Sequence, residues 1–291
     1  MDQKKVTVPA IRAMKRVQRI GMLTAYDYPT AKIADAAGTD IILVGDSLGM
    51  VVLGYPDTLS VTVEDMIHHT RAVVRGTQRA LVVGDMPYMS YHISIEESVR
   101  NAGQFIRAGA NAVKIEGGKP QRIRTVEAIR DAEIPVMGHI GLTPQSVNVV
   151  GGFKLQGKNA DDARRLLDEA IALDRAGCFS IVLECVPEEL ASLITERVSV
   201  PTIGIGAGPA CDGQVLVFHD LLGLYDGHTP KFVRRYANTG EEMRKAIAKY
   251  LEDVRSGRFP DGASESFHMS STEELKKLYG DSVVVPMPKV N

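Results

Sequence analysis

Charge of one sign, cysteine and long apolar runs are all scarce in this chain, and each scarcity removes a class of protein. The formal net charge of the 291 residues is −2, and Lys and Arg are interspersed with Asp and Glu. There is thus no electrostatic footprint for nucleic acid or an anionic membrane. No apolar run approaches the ~18 residues that a bilayer crossing needs. The first twenty residues are basic but lack the apolar core of a secretory signal. Their Arg and Lys content admits a transit peptide, yet they contain no serine and are expected to lead straight into the first strand. The expected compartment is the cytoplasm. The three cysteines, Cys178, Cys185 and Cys211, are odd in number and lack Cys-x-x-Cys spacing. They read as free buried thiols in a reducing compartment rather than a disulfide framework. The turn after the first strand reads Tyr-Asp-Tyr-Pro (Tyr26–Pro29) instead of a glycine-rich dinucleotide fingerprint, which disfavours a flavin or nicotinamide oxidoreductase. None of the cysteines has a recognisable histidine partner, so nucleophilic catalysis has little support.

What the chain does have is a repeat of short apolar strand, loop and amphipathic helix. Strands are expected at Ile20–Ala25, Ile41–Gly45, Ala80–Gly84, Ala112–Ile115, Pro135–Gly138, Ser180–Leu183, Pro201–Ile205 and, less clearly, Gln214–Phe218. Most are β-branched and apolar throughout, as strands of a parallel sheet buried on both faces should be. Helices are expected near Thr62–Arg75, Ile95–Ala108, Gln121–Ala132, Ala160–Ala176, Pro187–Arg197 and Gly240–Ser256. Ser94 with Glu97, and Ser271 with Glu274, have capping-box spacing. Three helix exits end alike, at Gly38, Gly109 and Gly177, roughly 70 residues apart, or two βα units at ~30 residues or more each. Eight strands alternating with helices point to an α/β (β/α)8 TIM barrel; an open doubly wound sheet is the alternative. The barrel domain is expected to span residues 1–268, with a C-terminal extension at 269–291.

The chemistry gathers at the strand ends. Strand two runs into Asp46, strand three into Asp85, and strand four contains Lys114 and ends in Glu116. Strand five leads to His139 and strand six to Glu184. In a barrel these ends converge on one mouth. Each carboxylate alone could be a helix cap or turn former. Three on successive strands would repel one another if buried without a partner, and a hard divalent cation resolves that conflict. Oxygen ligands without clustered His or Cys suit Mg²⁺ better than zinc. His68 and His69 lie in a helix pattern as surface or second-layer residues. The run Ile203–Gly208, IGIGAG, reads as a tight turn at least as well as an anion cradle.

At these residues the sequence resembles a known family. ILVGDSLGM (Ile42–Met50), LVVGDMPYMSY (Leu81–Tyr91), VKIEGG (Val113–Gly118), GHIGLTPQS (Gly138–Ser146) and IVLECVP (Ile181–Pro187) are similar to 3-methyl-2-oxobutanoate hydroxymethyltransferases, also called ketopantoate hydroxymethyltransferases. Met22–Gly38, the IGIGAG run and Gly223–Phe232 extend the likeness to about Glu265–His268. The resemblance implies a barrel like that of the phosphoenolpyruvate mutase/isocitrate lyase superfamily. It implies transfer of a hydroxymethyl group from 5,10-methylenetetrahydrofolate to 3-methyl-2-oxobutanoate, one Mg²⁺ per subunit, and a homodecamer. By matching motifs it places Asp46, Asp85 and Glu116 at the metal, directly or through water. Asp46, Ser47, Asp85 and Lys114 fall at the 2-oxo acid, His139 in the pocket, and Glu184 at the proton acceptor. A lyase or phosphonomutase of the related superfamily would share the metal chemistry without the folate. Loss of a metal carboxylate or of the base would mark a non-catalytic barrel, and all are present. Ser60 stands where the family usually has proline, which affects loop stiffness alone.

Overall fold

A strand that is apolar at every position has no face to offer water, so it must be covered on both sides. The computed structural model, which describes residues 4–152, 154–225, 227 and 229–280, satisfies this demand with a closed barrel. In chain order its elements begin with α1 (Val8–Ala13), β1 (Ile20–Thr24), α2 (Tyr28–Ala36), β2 (Ile41–Val44), α3 (Leu48–Val51) and α4 (Val63–Gly76). They continue with β3 (Leu81–Asp85), α5 (Ile95–Arg107), β4 (Ala112–Glu116), α6 (Pro120–Asp131), β5 (Val136–Gly141) and α7 (Val147–Val150). Then come α8 (Ala160–Arg175), β6 (Ser180–Glu184), α9 (Glu188–Arg197), β7 (Thr202–Ile205), β8 (Gly213–Leu216) and α10 (Phe218–Leu222). The last two are α11 (Thr239–Arg255) and α12 (Glu273–Tyr279).

Every strand pairs in parallel with its sequence neighbours, and β8 returns to β1 with Val215 opposite Met22. That last pairing is what an open sheet lacks, so the (β/α)8 expectation holds. Strand alternation sorts the apolar residues into two cores. Ile20, Met22, Ile41, Leu43, Leu81, Val83, Ala112, Met137, Val182, Ile203 and Val215 fill the barrel interior. The alternate set, including Ile42, Val44, Val82, Val113, Ile115, Ile181 and Leu183, packs against the helices. Helix exits at Gly38, Gly109 and Gly177 have φ of +90°, +102° and +95°, a region in which a Cβ is strained.

The local signals are realised unevenly. Thr62 and Asp65 form a reciprocal capping box at the start of α4. Ser94 accepts from the Glu97 amide, which is half of the box expected there. Helix α12 starts at Glu273 behind a Thr272 that makes no side-chain cap, so the Ser271–Glu274 box does not form. The first twenty residues do not run straight into β1. Thr7 caps α1 and Pro9 sits in its first turn, and fully buried Ile11, with Val6, joins the interior cluster.

Residues Met1–Leu221 with Tyr225–Arg235 form one compact unit, and Leu222–Leu224 with Tyr236–Asn291 another. Within the second unit, α11 buries no residue and carries Arg244–Glu241, Lys245–Glu242 and Lys249–Asp253 pairs at i,i+3 and i,i+4, each worth a few tenths of a kcal/mol. The apolar run at 283–285 lies outside the described residues. No helix among the described residues is long and apolar enough to cross a membrane.

Asp212, 5% exposed, ties the start of the chain to its last strands. Its carboxylate accepts from Lys15 Nζ at 3.0 Å, the Arg16 amide at 3.1 Å and the Thr202 amide at 2.9 Å. Removing one partner of a buried pair strands the other charge. Asp212→Ala should therefore cost about 3–5 kcal/mol of unfolding free energy in urea. A loss below about 1 kcal/mol, the range of surface pairs, would show that this carboxylate does not hold the barrel floor.

Candidate active site

Residues two apart on a strand share a face. The inward stripe of β3 therefore runs Leu81, Val83, Asp85, and that of β4 runs Ala112, Lys114, Glu116. On β5 it passes Met137 and His139, and on β6 Val182 and Glu184. Each stripe is apolar deep in the barrel and ionisable at the C-terminal end. The strand register sets Asp85 opposite Lys114 and Glu116 opposite His139. Asp46 and Ser47 make the turn from β2 into α3. All seven residues singled out in the sequence line one cavity of about 450 Å³, together with Thr24, Leu43, Val182, Ile205 and Phe232. The sequence places Asp85, Glu116, His139 and Glu184 just beyond their strands. The structure keeps them within the strands, because a polar inward residue leaves the parallel ladder intact.

The contacts are close. Lys114 Nζ lies 2.7 Å from Asp85 Oδ1 and 4.0 Å from Glu116 Oε1. His139 bridges two acids, with Nδ1 3.4 Å from Glu116 Oε1 and Nε2 3.2 Å from Glu184 Oε2. These are ion-pair contacts rather than aligned hydrogen bonds, for Asp85 Oδ1, Glu116 Oε1 and His139 Nε2 are buried without a well-directed partner. Burial, reinforced by Asp85 and Glu116, pushes the Asp46 carboxyl well above its usual range. Burial also raises Asp85, against the opposing pull of Lys114. Glu116 is held low despite burial, by His139 and Lys114. Lys114 stays charged because the three carboxylates outweigh the cost of burying it. For His139, burial and Lys114 favour the neutral ring, but Glu116 and Glu184 prevail and raise it to about 9.

Backbone geometry supports these positions. At Gly141, φ is +96° and a Cβ would stand 2.2 Å from the Glu184 carbonyl oxygen, so only glycine lets β5 approach β6 here. Cys185, directly after Glu184, has φ +48°, an unfavourable conformation for a non-glycine residue.

Three residues of the mouth carry no charge signature at a strand end and escape a sequence search for one. Gln145, 5% exposed, donates from Nε2 to Asp46 Oδ2 at 2.9 Å and to the Met86 carbonyl at 3.0 Å. Its backbone amide donates to Glu116 Oε2 at 3.1 Å. Tyr91 donates its hydroxyl to Gln145 Oε1 at 2.5 Å, and the Arg122 guanidinium lies 4.1 Å from the Tyr91 ring centre. Tyr91 and Gln145 do fall inside family-like motifs; Arg122, on α6, has no such mark. A further pattern, GDSLG at Gly45–Gly49, has the spacing of a nucleophile elbow and goes unused in the reading of strand ends. Ser47 has an ordinary φ of −53° and its Oγ pairs with the Tyr26 hydroxyl at 2.8 Å, so it has neither the elbow strain nor a histidine base. The IGIGAG run is a packed turn: a Cβ on Gly206 would meet Phe232, and one on Gly208 would meet Glu188. His69 Nδ1 contacts the Tyr26 carbonyl, and His68 is exposed. Cys178, Cys185 and Cys211 are free; the first and last are buried and Cys185 is partly exposed.

A ketopantoate hydroxymethyltransferase family model matches residues 5–262. The chain belongs to this family. A 3-methyl-2-oxobutanoate hydroxymethyltransferase of Syntrophomonas wolfei is 58% identical over 277 residues, spanning 94% of this chain and 99% of that protein. The Enterococcus faecalis enzyme of the same name is 57% identical, over 95% of this chain and 100% of its own. Among solved structures, 2,3-dimethylmalate lyase, a member of the PEP mutase/isocitrate lyase superfamily, superposes with a TM-score of 0.56 at 15% identity, covering 92% of each chain. That likeness speaks for the shared barrel alone. Membership makes the protein a hydroxymethyltransferase, a transferase by class.

A histidine whose folded pKa exceeds its unfolded one adds stability that is complete below the unfolded value and is lost as pH rises through the folded value. For His139 that window runs from 6.5 to about 9. Cation-free protein should therefore lose stability to urea across it, and His139→Gln should lose distinctly less. Equal losses in the two proteins would show that His139 is not held protonated by Glu116 and Glu184.

Proposed function

We propose that this hydroxymethyltransferase joins the one-carbon unit of 5,10-methylenetetrahydrofolate to C3 of 3-methyl-2-oxobutanoate, giving ketopantoate for pantothenate and coenzyme A synthesis, with one Mg²⁺ at the barrel mouth. The observation that carries the reading is the charge imbalance in one buried cavity. Asp46, Asp85, Glu116, Glu184 and Asp220 line it against two lysines, Lys114 and Lys231, and one histidine, and burial with repulsion from Asp85 and Glu116 raises the Asp46 carboxyl well above its usual range. Asp85 Oδ1 and Glu116 Oε1 also lack well-directed donors. An all-oxygen donor set of this kind fits a hard divalent cation. Among the described residues no three acidic, histidine or cysteine groups close around a single point. Asp46, Asp85 and Glu116 would hold it, directly or through water.

Bound there, the ion supplies Lewis-acid stabilisation of the negative charge that grows on the keto oxygen as C3 loses its proton, worth several kcal/mol. Lys114, locked by Asp85, sets a permanent positive charge beside the same oxygens. Ser47 Oγ, paired with the Tyr26 hydroxyl at 2.8 Å, would bind the 2-oxo acid, and Asp46 and Asp85 would hold the ion beside it. Leu43, Val182, Ile205 and Leu216 line the cavity and offer the branched apolar tail a dry wall. Glu184 Oε2 accepts the C3 proton while His139 Nε2 holds that carboxylate in place. C3 then bonds to the folate-borne methylene carbon as one of that carbon's two bonds to nitrogen breaks; water adds its oxygen to the same carbon as the second breaks, and the two freed nitrogens take up the proton from C3 and one from water.

Heavy-water exchange of the C3 proton of 3-methyl-2-oxobutanoate tests the proton step. Glu184→Gln should abolish exchange and leave divalent-cation binding largely intact; undiminished exchange would remove Glu184 from this role. Asp85→Ala should weaken Mg²⁺ and keto-acid binding together in calorimetry, and normal keto-acid affinity in that variant would contradict a shared site. A lyase or phosphonomutase would turn over without methylenetetrahydrofolate, so the folate requirement separates the two readings. The proposal includes a cytoplasmic homodecamer, for which sedimentation equilibrium gives the subunit count.

A further inference from the structure

The hydrogen bonds around Gln145 leave its amide one orientation. Its Nε2 faces Asp46 Oδ2 and the Met86 carbonyl; the carbonyl can only accept, so exchanging the amide oxygen and nitrogen would set oxygen against oxygen there. Its Oε1 must then accept from the Tyr91 hydroxyl. That hydroxyl, its proton committed, accepts from the Glu116 amide at 3.2 Å. Arg122 fixes the tyrosine in turn, donating from Nη1 to the Tyr91 carbonyl at 2.6 Å and from Nε to the Glu116 carbonyl at 2.9 Å. Asp46, Tyr91, Glu116 and Gln145 are each at most 5% exposed, so water cannot replace a missing partner cheaply. They come from four different βα units, after β2, after β3, at the end of β4 and after β5.

The consequence for the carboxylates is selective. Gln145 engages Asp46 through Oδ2 with its side chain and Glu116 through Oε2 with its backbone. One oxygen of each acid is thereby pinned, and Glu116 turns its other oxygen, Oε1, toward His139 Nδ1 and Lys114 Nζ without a well-directed hydrogen bond. A residue that merely tethered two loops would need the Met86 carbonyl bond and nothing on Asp46.

We infer that Gln145 is a positioning residue that presets the carboxylates of Asp46 and Glu116 for a divalent cation, with Tyr91 and Arg122 fixing its amide. This rests on the cation site proposed above and adds to it a residue that touches neither ion nor substrate. Partners that orient metal ligands typically contribute 10- to 100-fold to metal affinity.

Gln145→Met keeps the volume and the backbone amide bond to Glu116 but removes the donor to Asp46. With Mn²⁺ as the probe, calorimetry on the full-length variant should show at least a tenfold weaker Kd. The KM for 3-methyl-2-oxobutanoate should rise at limiting Mn²⁺ and recover as Mn²⁺ is raised, with kcat near the unmodified value at saturation. Tyr91→Phe, which leaves Gln145 Oε1 without its donor and so holds the amide less firmly, should shift Kd the same way by less, and the double variant should be no worse than Gln145→Met alone. A folded Gln145→Met protein with unchanged Mn²⁺ affinity would overturn the inference and leave the cation site standing. Should Gln145→Met fail to fold, unchanged affinity in Tyr91→Phe would overturn it equally. Unmodified protein that binds no Mn²⁺ would remove both the cation site and this role.

Discussion

The structure turns on the gathering of acidic groups in a place that water barely reaches. A closed parallel barrel offers few polar positions in its interior, and strand alternation decides which residues take them. Here the inward stripes of β3, β4 and β6 each end in a carboxylate, and the turn after β2 adds a fourth. In low dielectric such groups either find a cation or take up a proton. Lys114 and His139 answer part of that demand, and their own ionisation depends on the acids around them. The catalytic reading follows from what remains unbalanced.

Close backbone approach keeps this arrangement in register. Gly141 lets the end of β5 sit against the Glu184 carbonyl where no Cβ could fit, and the strained Cys185 turns the chain away immediately after the proposed base. Side chains on rigid strands are better fixed than side chains on loops. The loops contribute instead a neutral lattice of hydrogen bonds, from Tyr91 and Gln145, that meets the strand-borne acids from above. Most of the charge comes from the strands, with Asp46 from the turn after β2, and direction comes from the loops.

Most of the fold was legible because parallel strands buried on both faces leave a plain signature. All eight appear within a few residues of their expected places, and the ionisable residues at their ends converge as a barrel requires. What was not legible has physical reasons. Helix α1 is a six-residue segment whose burial of Ile11 depends on a barrel floor assembled from the rest of the chain. Gln145, Tyr91 and Arg122 act through contacts that reach as far as 99 residues along the chain, and a neutral amide or hydroxyl in a loop looks like any other polar loop residue. The GDSLG spacing shows the converse: a motif can match while its serine has the wrong backbone angle and the wrong partner. The change of compactness near Tyr236 has no marker either, for the family-like sequence continues past it.

The pairing of β1 with β8 and the Lys15–Asp212 contact, 197 residues apart in sequence, also constrain how the molecule comes into being. The segment before β1 cannot be fully buried until the chain 197 residues further on has been made. Until then the floor plug of Val6 and Ile11 has no pocket to enter, and β1 has one neighbour instead of two. Contacts of such long range are slow to form, so barrel closure waits for β8, and β1 stands until then with one edge unpaired.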